Sequence, residues 1–288
     1  MEELDQYSIT DAVIKQMSST SNPRLKQVME SVIRHAHEVL REVNMTPAEL
    51  HMGMEFLKEV GQKCTPQRQE FMVFAAAFGL ETVVNILEDM RTKERGTATS
   101  IFGPFYVVDS PLMKLGDSLA KNPTVGLYGT VTDVSGKPIP NAQVEIWQTD
   151  ESGMYDVQHD GEFHFDLRGR FITDAQGKYY LKTIAPLGYS IPQDGVIWDL
   201  VRHKQHREGW RPAHIHFRVT APGYMDVITA LYLTKDGHIE DDAAFGVMAS
   251  LVRELVQNDP KSPIPGLPAL NFDVKMRKDV AAKVAAAS

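Results

Sequence analysis

Hydrophobic residues in the first part of the chain recur at spacings of three and four, the period of a helix with one apolar face. The longest such stripe consists of Leu25, Val28, Met29, Val32, Ile33, Ala36, Val39, Leu40 and Val43. Ser21 and Asn22 before Pro23 supply a cap and a preset first turn for this helix. Thr46 and Glu49 have the spacing of a capping box, which predicts a second helix start. The N-terminal region is therefore predicted to be helical.

A third helix start is predicted at Thr65 and Pro66, and residues 71–90 after it are apolar at most positions. A helix that is apolar nearly all round is expected to be buried. The pattern fits a core against the other helices and a subunit interface equally well. Residues 93–100, with Gly96 and three hydroxyl residues, are predicted to form a linker.

Beyond the linker the pattern changes to short β-prone runs separated by Gly, Pro and Asp. Val131 lies before a predicted turn at residues 135–138, and Val144 and Ile146 follow it, which implies two antiparallel strands. Further strands are predicted at residues 170–173, 178–183, 214–220 and 227–233. Several strands without helical patterns between them are typical of a β-sandwich.

The end of the chain carries two further predictions. Residues 258–271 hold four prolines and are predicted to be extended coil, and residues 274–288 an Ala-rich final helix. We therefore predict an α+β protein with a helical N-terminal domain over residues 1–97. A mainly β-sandwich domain with a C-terminal helix is predicted over residues 98–288.

Composition excludes several classes of function. A net charge of -8 and the lack of a Lys/Arg cluster argue against a nucleic-acid binder. Cys64 is the only cysteine, which excludes an internal disulfide and a thiolate metal cage and fits a reducing compartment. No run approaches the roughly 20 apolar residues of a membrane span, and the first residues lack the pattern of a signal peptide. We expect a cytoplasmic protein without a membrane partner.

The sequence RPAHIHF at residues 211–217 points to chemistry. On a strand, His214 and His216 project from the same face and can bind one metal, while Ile215 and Phe217 project from the other. A polar strand edge or a packed histidine pair would give the same pattern. The arginine just upstream, Arg211, adds a cation to the neighbourhood.

Two tyrosines lie in Gly-containing segments that are atypical of packing positions. Tyr155 follows Gly153 after a predicted strand, and Tyr189 lies in a Gly/Pro-rich loop. Each alone could simply pack. With the histidines they form a candidate set of two phenols and two imidazoles. A phenol ionises near pKa ~10, so two tyrosinates need a strongly charged cation.

Hard anionic oxygen donors favour Fe(III) over Fe(II), and an electron-rich aromatic diol is a natural bidentate ligand for Fe(III). A hydrolytic zinc site would need only three protein ligands and water, and two tyrosinates speak against it. A non-catalytic β-sandwich module with a helical dimerisation arm is an alternative of another class. In that alternative Tyr155, Tyr189 and the two histidines only pack.

Four motifs together resemble the intradiol ring-cleavage dioxygenases in order and spacing: GPFYV at 103–107, the segment 147–155, GYSIPQDG at 188–195 and RPAHIHF at 211–217. The resemblance covers residues 1 to about 275. It implies a non-haem Fe(III) enzyme with Tyr155, Tyr189, His214 and His216 as iron ligands. In the family, the tyrosine matching Tyr189 leaves the iron on substrate binding and accepts a substrate proton. Arg211 would stabilise carbanion character in the bound ring.

The helical region ahead of the sandwich is typical of the homodimeric catechol, chlorocatechol and hydroxyquinol enzymes of this family. The segments around Tyr155 and Tyr189 look more like the hydroxyquinol enzymes, which insert both atoms of O2 into hydroxyquinol to give maleylacetate. A catechol or chlorocatechol 1,2-dioxygenase is the alternative. Ala230 stands where catechol enzymes commonly have Gln. The candidate pocket walls, for which core packing is equally open, are Ile101, Pro104, Phe78, Ala230 and Phe245.

Overall fold

The structure is a computed structural model that describes residues 3–65 and 68–279. The chain divides into two compact units, Met1–Glu59 and Val60–Ser288. The helices ahead of the first strand are α1 (Ser8–Gln16), α2 (Pro23–Glu42), α3 (Pro47–Gln62), α4 (Glu70–Ala77) and α5 (Leu80–Met90). The domain boundary that the sequence predicts after residue 97 stays a prediction.

Two of the predicted helix starts are confirmed by their hydrogen bonds. The side chain of Asn22 accepts from the backbone N–H groups of Arg24 and Leu25, both at 3.0 Å, at the start of α2. At α3, the backbone N–H of Thr46 donates to the Glu49 carboxylate at 2.7 Å, and that of Glu49 to the Thr46 hydroxyl at 3.3 Å.

The predicted helix start at Thr65 is wrong. Thr65 and Arg68 instead exchange backbone hydrogen bonds of 2.9 and 3.2 Å, so α4 begins only at Glu70. The following apolar segment is also two helices rather than one, because the chain bends by 68° between α4 and α5. Gly79, at φ +67°, supplies the left-handed residue that this bend requires.

Most large apolar side chains of α5 are exposed, among them Val83, Val84 and Leu87, each more than half accessible. Of the two alternatives for this segment, a core within the chain does not hold for α5, and a subunit interface stays a prediction. Among the described residues, no single helix is long and apolar enough to cross a membrane, and only α4 and α5 taken together reach that length and composition.

The strands are β1 (Val125–Asp133), β2 (Gln143–Trp147), β3 (Arg168–Ile172), β4 (Lys178–Thr183), β5 (Tyr189–Ser190), β6 (Trp210–Arg211), β7 (His214–Thr220), β8 (Val227–Leu233), β9 (Val252–Arg253), β10 (Ala269–Asn271) and β11 (Val274–Met276). A helical turn Val196–Trp198 continues as a π-helix Asp199–Lys204 between β5 and β6.

Two sheets form the predicted β-sandwich. In one, β1 pairs antiparallel with β4 and parallel with β10 and β11. The other has the order β3-β2-β7-β8-β9, and β5 and β6 form a small separate pair. Leu127 and Leu181 from the first sheet and Ile146 and Phe217 from the second belong to one buried cluster, so the core lies between the sheets.

Strands β4, β7 and β8 begin and end at the predicted residues. The prediction that β1 and β2 pair with each other is wrong. β1 pairs with β4, β10 and β11, whereas β2 pairs with β3 and β7. The turn at residues 135–138 does form, since the Asp133 carboxylate accepts from the backbone of Ser135 and Lys137. It carries the chain from one sheet to the other.

Two predictions for the chain end need correction. Ala269–Asn271, predicted as coil, is β10, and Val274–Met276, predicted as the start of a helix, is β11. Both gain ladder hydrogen bonds from β1, and Val274 and Met276 are buried on either side of exposed Lys275. Pairing and burial thus outweigh local helix propensity. The rest of the predicted helix, residues 280–288, lies outside the described residues.

Replacing Leu181 with Ala is expected to lower the free energy of unfolding by about 3 kcal/mol, because the fully buried side chain would leave a cavity in the core. Urea unfolding followed by tryptophan fluorescence measures the change. Lys182→Ala is the matched control, since Lys182 is the next residue and lies on the opposite face of β4. It should lower the free energy of unfolding by less than about 0.5 kcal/mol. Equal losses in the two variants would contradict this account of the core.

Candidate metal centre

Strand β7 carries both predicted histidines on one face, between β2 and β8. His216 lies in register with Trp147 on β2 and with Ala230 on β8. The Trp147 ring stacks on the His216 imidazole, with centroids 5.0 Å apart and an interplanar angle of 3°. Nδ1 of His214 lies 2.6 Å from the carbonyl oxygen of Pro212. Because a carbonyl only accepts, Nδ1 carries the proton and Nε2 keeps its lone pair.

The two tyrosines come from loops at the end of the sandwich. Tyr155 follows β2 and is fully buried, with the Phe105 ring stacked on it at a centroid distance of 4.5 Å. Tyr189 begins β5 and pairs in register with Arg211 on β6, so this short ladder sets the two side chains beside each other. Gly153, at φ +81°, lets the loop pass close to Tyr189, since a Cβ there would lie 3.1 Å from the Tyr189 Cβ.

The polar atoms of all four residues converge in one buried cluster. Oη of Tyr155 lies 3.3 Å from Oη of Tyr189 and 3.3 Å from Nε2 of His214. Nε2 of His214 lies 3.1 Å from Nε2 of His216. Donor atoms bound to one ion at about 2.1 Å lie roughly 3 to 3.4 Å apart, so the spacing fits a shared metal.

A metal in this cluster requires the tyrosines. In the part of the chain that the structure describes, no group of three or more His, Cys, Asp or Glu side chains is arranged to hold a metal ion. Burial and the neighbouring Tyr189 raise the pKa of Tyr155 well above its ordinary value. Burial and the Arg211 charge lower the pKa of His214 well below its ordinary value. The imidazoles are thus neutral ligands, and the buried phenol needs a cation in order to ionise.

Arg211 is the cation of the site and is almost fully buried. Its Nη1 lies 3.1 Å from Nε2 of His214 and 3.4 Å from Oη of Tyr189. Burial by itself would lower the pKa of Arg211, but the charge of Asp242 and the nearby tyrosines raise that pKa well above its ordinary value. The guanidinium therefore stays charged beside Tyr189 and His214.

Sequence reasoning missed two partners of Arg211. Tyr232 accepts a hydrogen bond from Nη2 of Arg211 at 3.2 Å, and Asp242 accepts one from Nε at 3.2 Å. Tyr232 carried a signal, because it lies two positions after Ala230 on the same face of a predicted strand. Asp242 carried none, since its loop has no recognisable pattern.

An apolar cavity of about 30 Å³ opens beside Tyr189 and Arg211. Two of the predicted pocket walls, Ile101 and Pro104, line it, together with Val73 and Ala77 of α4. A cavity of about 150 Å³ holds benzene, so an aromatic ring can enter only if a wall side chain moves.

The other predicted walls lie elsewhere. Phe78 and Phe245 are both about half exposed and are absent from the cavity lining. Ala230 lies on β8 opposite His216 and is fully buried, so it supports the imidazole from the neighbouring strand. The alanines that do line the cavity, Ala243 and Ala244, follow directly on Asp242.

The chain matches two family profiles. The one described as Dioxygenase covers residues 101–277, and the one described as Catechol dioxygenase N terminus covers residues 22–96. A similar relative is the 6-chlorohydroxyquinol 1,2-dioxygenase of Cupriavidus pinatubonensis, which is 38% identical over 260 residues, 89% of this chain and 94% of its own length.

Solved structures agree with the sequence relatives. Hydroxyquinol 1,2-dioxygenase from Pseudomonas putida DLL-E4 superposes with a TM-score of 0.85 at 33% identity, covering 95% of this chain and 99% of its own. Catechol 1,2-dioxygenase of Acinetobacter radioresistens gives a TM-score of 0.81 at 28% identity, covering 98% and 96%. With both profiles matched and the two-phenol, two-imidazole cluster in place, the chain belongs to the intradiol ring-cleavage dioxygenases, a family of non-haem iron enzymes.

Proposed function

We propose that this dioxygenase opens hydroxyquinol (1,2,4-trihydroxybenzene) between two adjacent hydroxyl-bearing carbons and inserts both atoms of O2, which gives maleylacetate. The observation that carries the proposal is the convergence of two phenols and two imidazoles, joined in series by distances of 3.1 to 3.3 Å, beside a buried guanidinium. The choice of hydroxyquinol is supported by the names of similar proteins, which act on hydroxyquinol or its 6-chloro derivative.

The residues proposed to hold the iron are Tyr155, Tyr189, His214 and His216. Two phenolates and one hydroxide balance the three charges of Fe(III), and hard oxygen donors favour that oxidation state. Fe(III) bound there would supply a Lewis acid that ligates both oxygens of an ortho-diol and makes the ring reactive towards O2.

The two tyrosines have different surroundings, which supports different roles. Tyr155 has no exposed surface and packs against Phe105. Tyr189 lines the cavity and contacts Arg211. Of the two, Tyr189 is therefore the side chain that can move aside for the ring, and its Oη can accept a hydroxyl proton from the entering diol. This movement would also enlarge the small cavity.

Arg211 is proposed to stabilise negative charge on the bound ring. Its Nε is engaged by Asp242 and its Nη2 by Tyr232, so Nη1 remains directed towards Tyr189, which lines the cavity. A fixed cation in a buried, apolar setting acts far more strongly on developing charge than the same cation in water. The apolar walls around it, including Ile101 and Pro104, keep water from the reacting ring.

A catechol or chlorocatechol 1,2-dioxygenase remains the second candidate, because solved structures with those names also match the chain closely in fold. Membership in the dioxygenase family favours an enzyme over the non-catalytic binding module and the zinc hydrolase that the sequence left open.

We also propose that the chain forms a homodimer through its N-terminal helices. The apolar stripe of α2 supports this, because it includes exposed residues such as Val32 and Val39, and α2 has no buried residue. On α5, Val83, Val84 and Leu87 are exposed as well. Exposed apolar surface of this extent is typical of an interface.

Replacing Tyr155 with Phe should remove one of four iron ligands. Replacing a residue that only hydrogen-bonds to a metal-binding side chain weakens metal binding about 10- to 100-fold. Replacing a metal-binding side chain itself should therefore weaken iron binding at least roughly 100-fold. Iron content by atomic absorption and the visible tyrosinate-to-iron band should both fall to near zero. Tyr180→Phe, on β4, is the control and should keep both. Full iron content with an unchanged band in Tyr155→Phe would rule out the proposed ligand set.

The proposed substrate predicts a kcat/KM for hydroxyquinol at least about 10-fold above that for catechol, because catechol lacks one hydroxyl and one hydrogen bond is worth roughly 1.4 kcal/mol. Oxygen consumption and product mass, measured under 18O2 with hydroxyquinol, catechol and 4-chlorocatechol, give the ranking and the number of oxygen atoms inserted. A higher value for catechol or chlorocatechol would instead establish the second candidate.

Val32→Glu on α2 is expected to raise the dimer dissociation constant about 10-fold or more, since it would bury an unpaired charge in the proposed interface. Sedimentation velocity over a concentration series measures it. Ser31→Glu adds the same charge at the neighbouring polar position and should leave the dimer intact. A monomeric wild-type chain, or equal effects of both variants, would refute assembly through α2.

A further inference from the structure

We propose that Asp242 is a positioning residue for ring cleavage, which acts by fixing the guanidinium of Arg211 relative to the substrate cavity. This inference rests on the proposed function, because Arg211 matters only if a ring is cleaved beside it. Asp242 is nearly fully buried and lies in the loop after β8, far in sequence from Arg211.

The Asp242 carboxylate accepts hydrogen bonds from three donors. Oδ1 accepts from Nε of Arg211 at 3.2 Å and from the backbone N–H of Ala244 at 3.1 Å. Oδ2 accepts from the backbone N–H of Gly246 at 2.8 Å. The loop therefore turns around its own side chain and offers the fixed carboxylate to Arg211.

A second chain of hydrogen bonds joins Arg211 to the same loop. Nη2 of Arg211 donates to Oη of Tyr232 at 3.2 Å, and Oη of Tyr232 lies 3.0 Å from Oγ of Ser100. Oγ of Ser100 donates to the carbonyl of Gly246 at 2.8 Å. Since the Ser100 proton is used there, the Tyr232 proton points to Ser100, and its lone pairs face Arg211.

The two chains close into a ring of five residues: Asp242, Arg211, Tyr232, Ser100 and Gly246. We call it the Asp242 ring. Both ends of the guanidinium, Nε and Nη2, are held in it, which leaves Nη1 directed at Tyr189 and His214. A charged group held at two points loses little freedom when it meets substrate charge, so the ring preorganises the cation.

Packing within the ring is tight. A Cβ on Gly246 would lie 2.6 Å from Oη of Tyr232 and 3.2 Å from Nη2 of Arg211. Only a glycine at position 246 leaves room for the side chains of Tyr232 and Arg211.

The same loop forms part of the cavity wall. Ala243 and Ala244 line the cavity, and the backbone N–H of Ala243 donates to the carbonyl of Trp210, next to Arg211, at 2.8 Å. The Asp242 carboxylate therefore fixes the position of the Arg211 guanidinium and of one wall of the cavity together. A shift of Asp242 would move both against the ring of a bound diol.

Asparagine cannot replace this carboxylate. The amide of asparagine has one oxygen and one NH2 group in place of the two carboxylate oxygens. In one orientation the NH2 group would face the donors of Arg211 and Ala244, and in the other it would face the N–H of Gly246. The guanidinium would also lose its charged partner. We expect Asp242→Asn to lower kcat about 10- to 100-fold, the size of effect that a displacement of roughly 1 Å produces, while iron binding stays intact.

The experiment is a double-mutant cycle with Asp242→Asn and Arg211→Gln in the full-length, iron-loaded chain. Iron content, the visible band and steady-state kcat and KM for hydroxyquinol are measured for each variant. If Asp242 acts through Arg211, its substitution should change kcat less than twofold once Arg211 is already Gln. Asp174→Asn is the matched control, because Asp174 accepts from the backbone of Gln176 and Lys178 away from the site, and it should leave kcat within twofold.

Three outcomes would overturn the inference. The first is an unchanged kcat in Asp242→Asn, and the second is loss of iron from that variant. The third is a double variant whose kcat falls by the product of the two single-variant factors. Should Asp242→Asn fail to fold, Asp242→Ser decides, because its hydroxyl can accept from Ala244 but cannot balance the charge of Arg211. The same fall in kcat is expected for Asp242→Ser.

The experiment also separates this inference from the proposed function. A wild-type chain that binds iron but cleaves no diol would refute both. Diol cleavage by the wild-type chain with an unchanged kcat in Asp242→Asn would refute this inference alone.

Discussion

The arrangement around the site is governed by electrostatics: the Arg211 guanidinium is buried within 3.4 Å of Tyr189 and His214, two side chains proposed to bind a cation. Two like charges in an interior of low polarity repel strongly unless anions lie between or beside them. Asp242 supplies one such anion, and ionised tyrosines would supply more. The position of Arg211 is thus stable only as part of a set of opposite charges.

The sandwich provides the rigidity that this balance needs. β7 is a central strand with neighbours on both sides, so the two imidazoles cannot move without disturbing the sheet. Trp147 and Ala230 confine His216 from the adjacent strands. The tyrosines, by contrast, come from loops at the sheet ends. Under the proposed function, two imidazoles held in a sheet and two more mobile phenols would let the site keep a metal while one tyrosine makes room for a substrate.

Charge also links elements outside the metal cluster. Arg68 pairs with buried Glu70 at the start of α4 and with Asp194 in the loop that carries Tyr189. The buried pair of Asp156 and Arg168 ties the segment after Tyr155 to β3. Each loop that bears a tyrosine is therefore anchored by an ion pair. Of the two pairs, Asp156–Arg168 is buried, whereas the Asp194 side chain is 66% exposed, so only the first is expected to hold its segment firmly.

Elements with local patterns could be predicted from the amino-acid sequence. The cap at Asn22, the bounds of β7 and β8, and the spacing of His214 and His216 follow from side-chain period and backbone chemistry. The sequence motifs also pointed to the four side chains that the structure brings together, although these come from three separate segments.

Features that depend on contacts between distant residues could not be predicted from the sequence and are seen only in the folded chain. β10 and β11 form strands because their backbone groups pair with those of β1. β1 and β2 do not pair with each other, because β2 pairs with β3 in the other sheet. Asp242 reached Arg211 across 31 positions by the folding of its loop. Local propensity amounts to a few tenths of a kcal/mol per residue, whereas pairing and burial contribute more, so such contacts leave no local pattern from which to predict them.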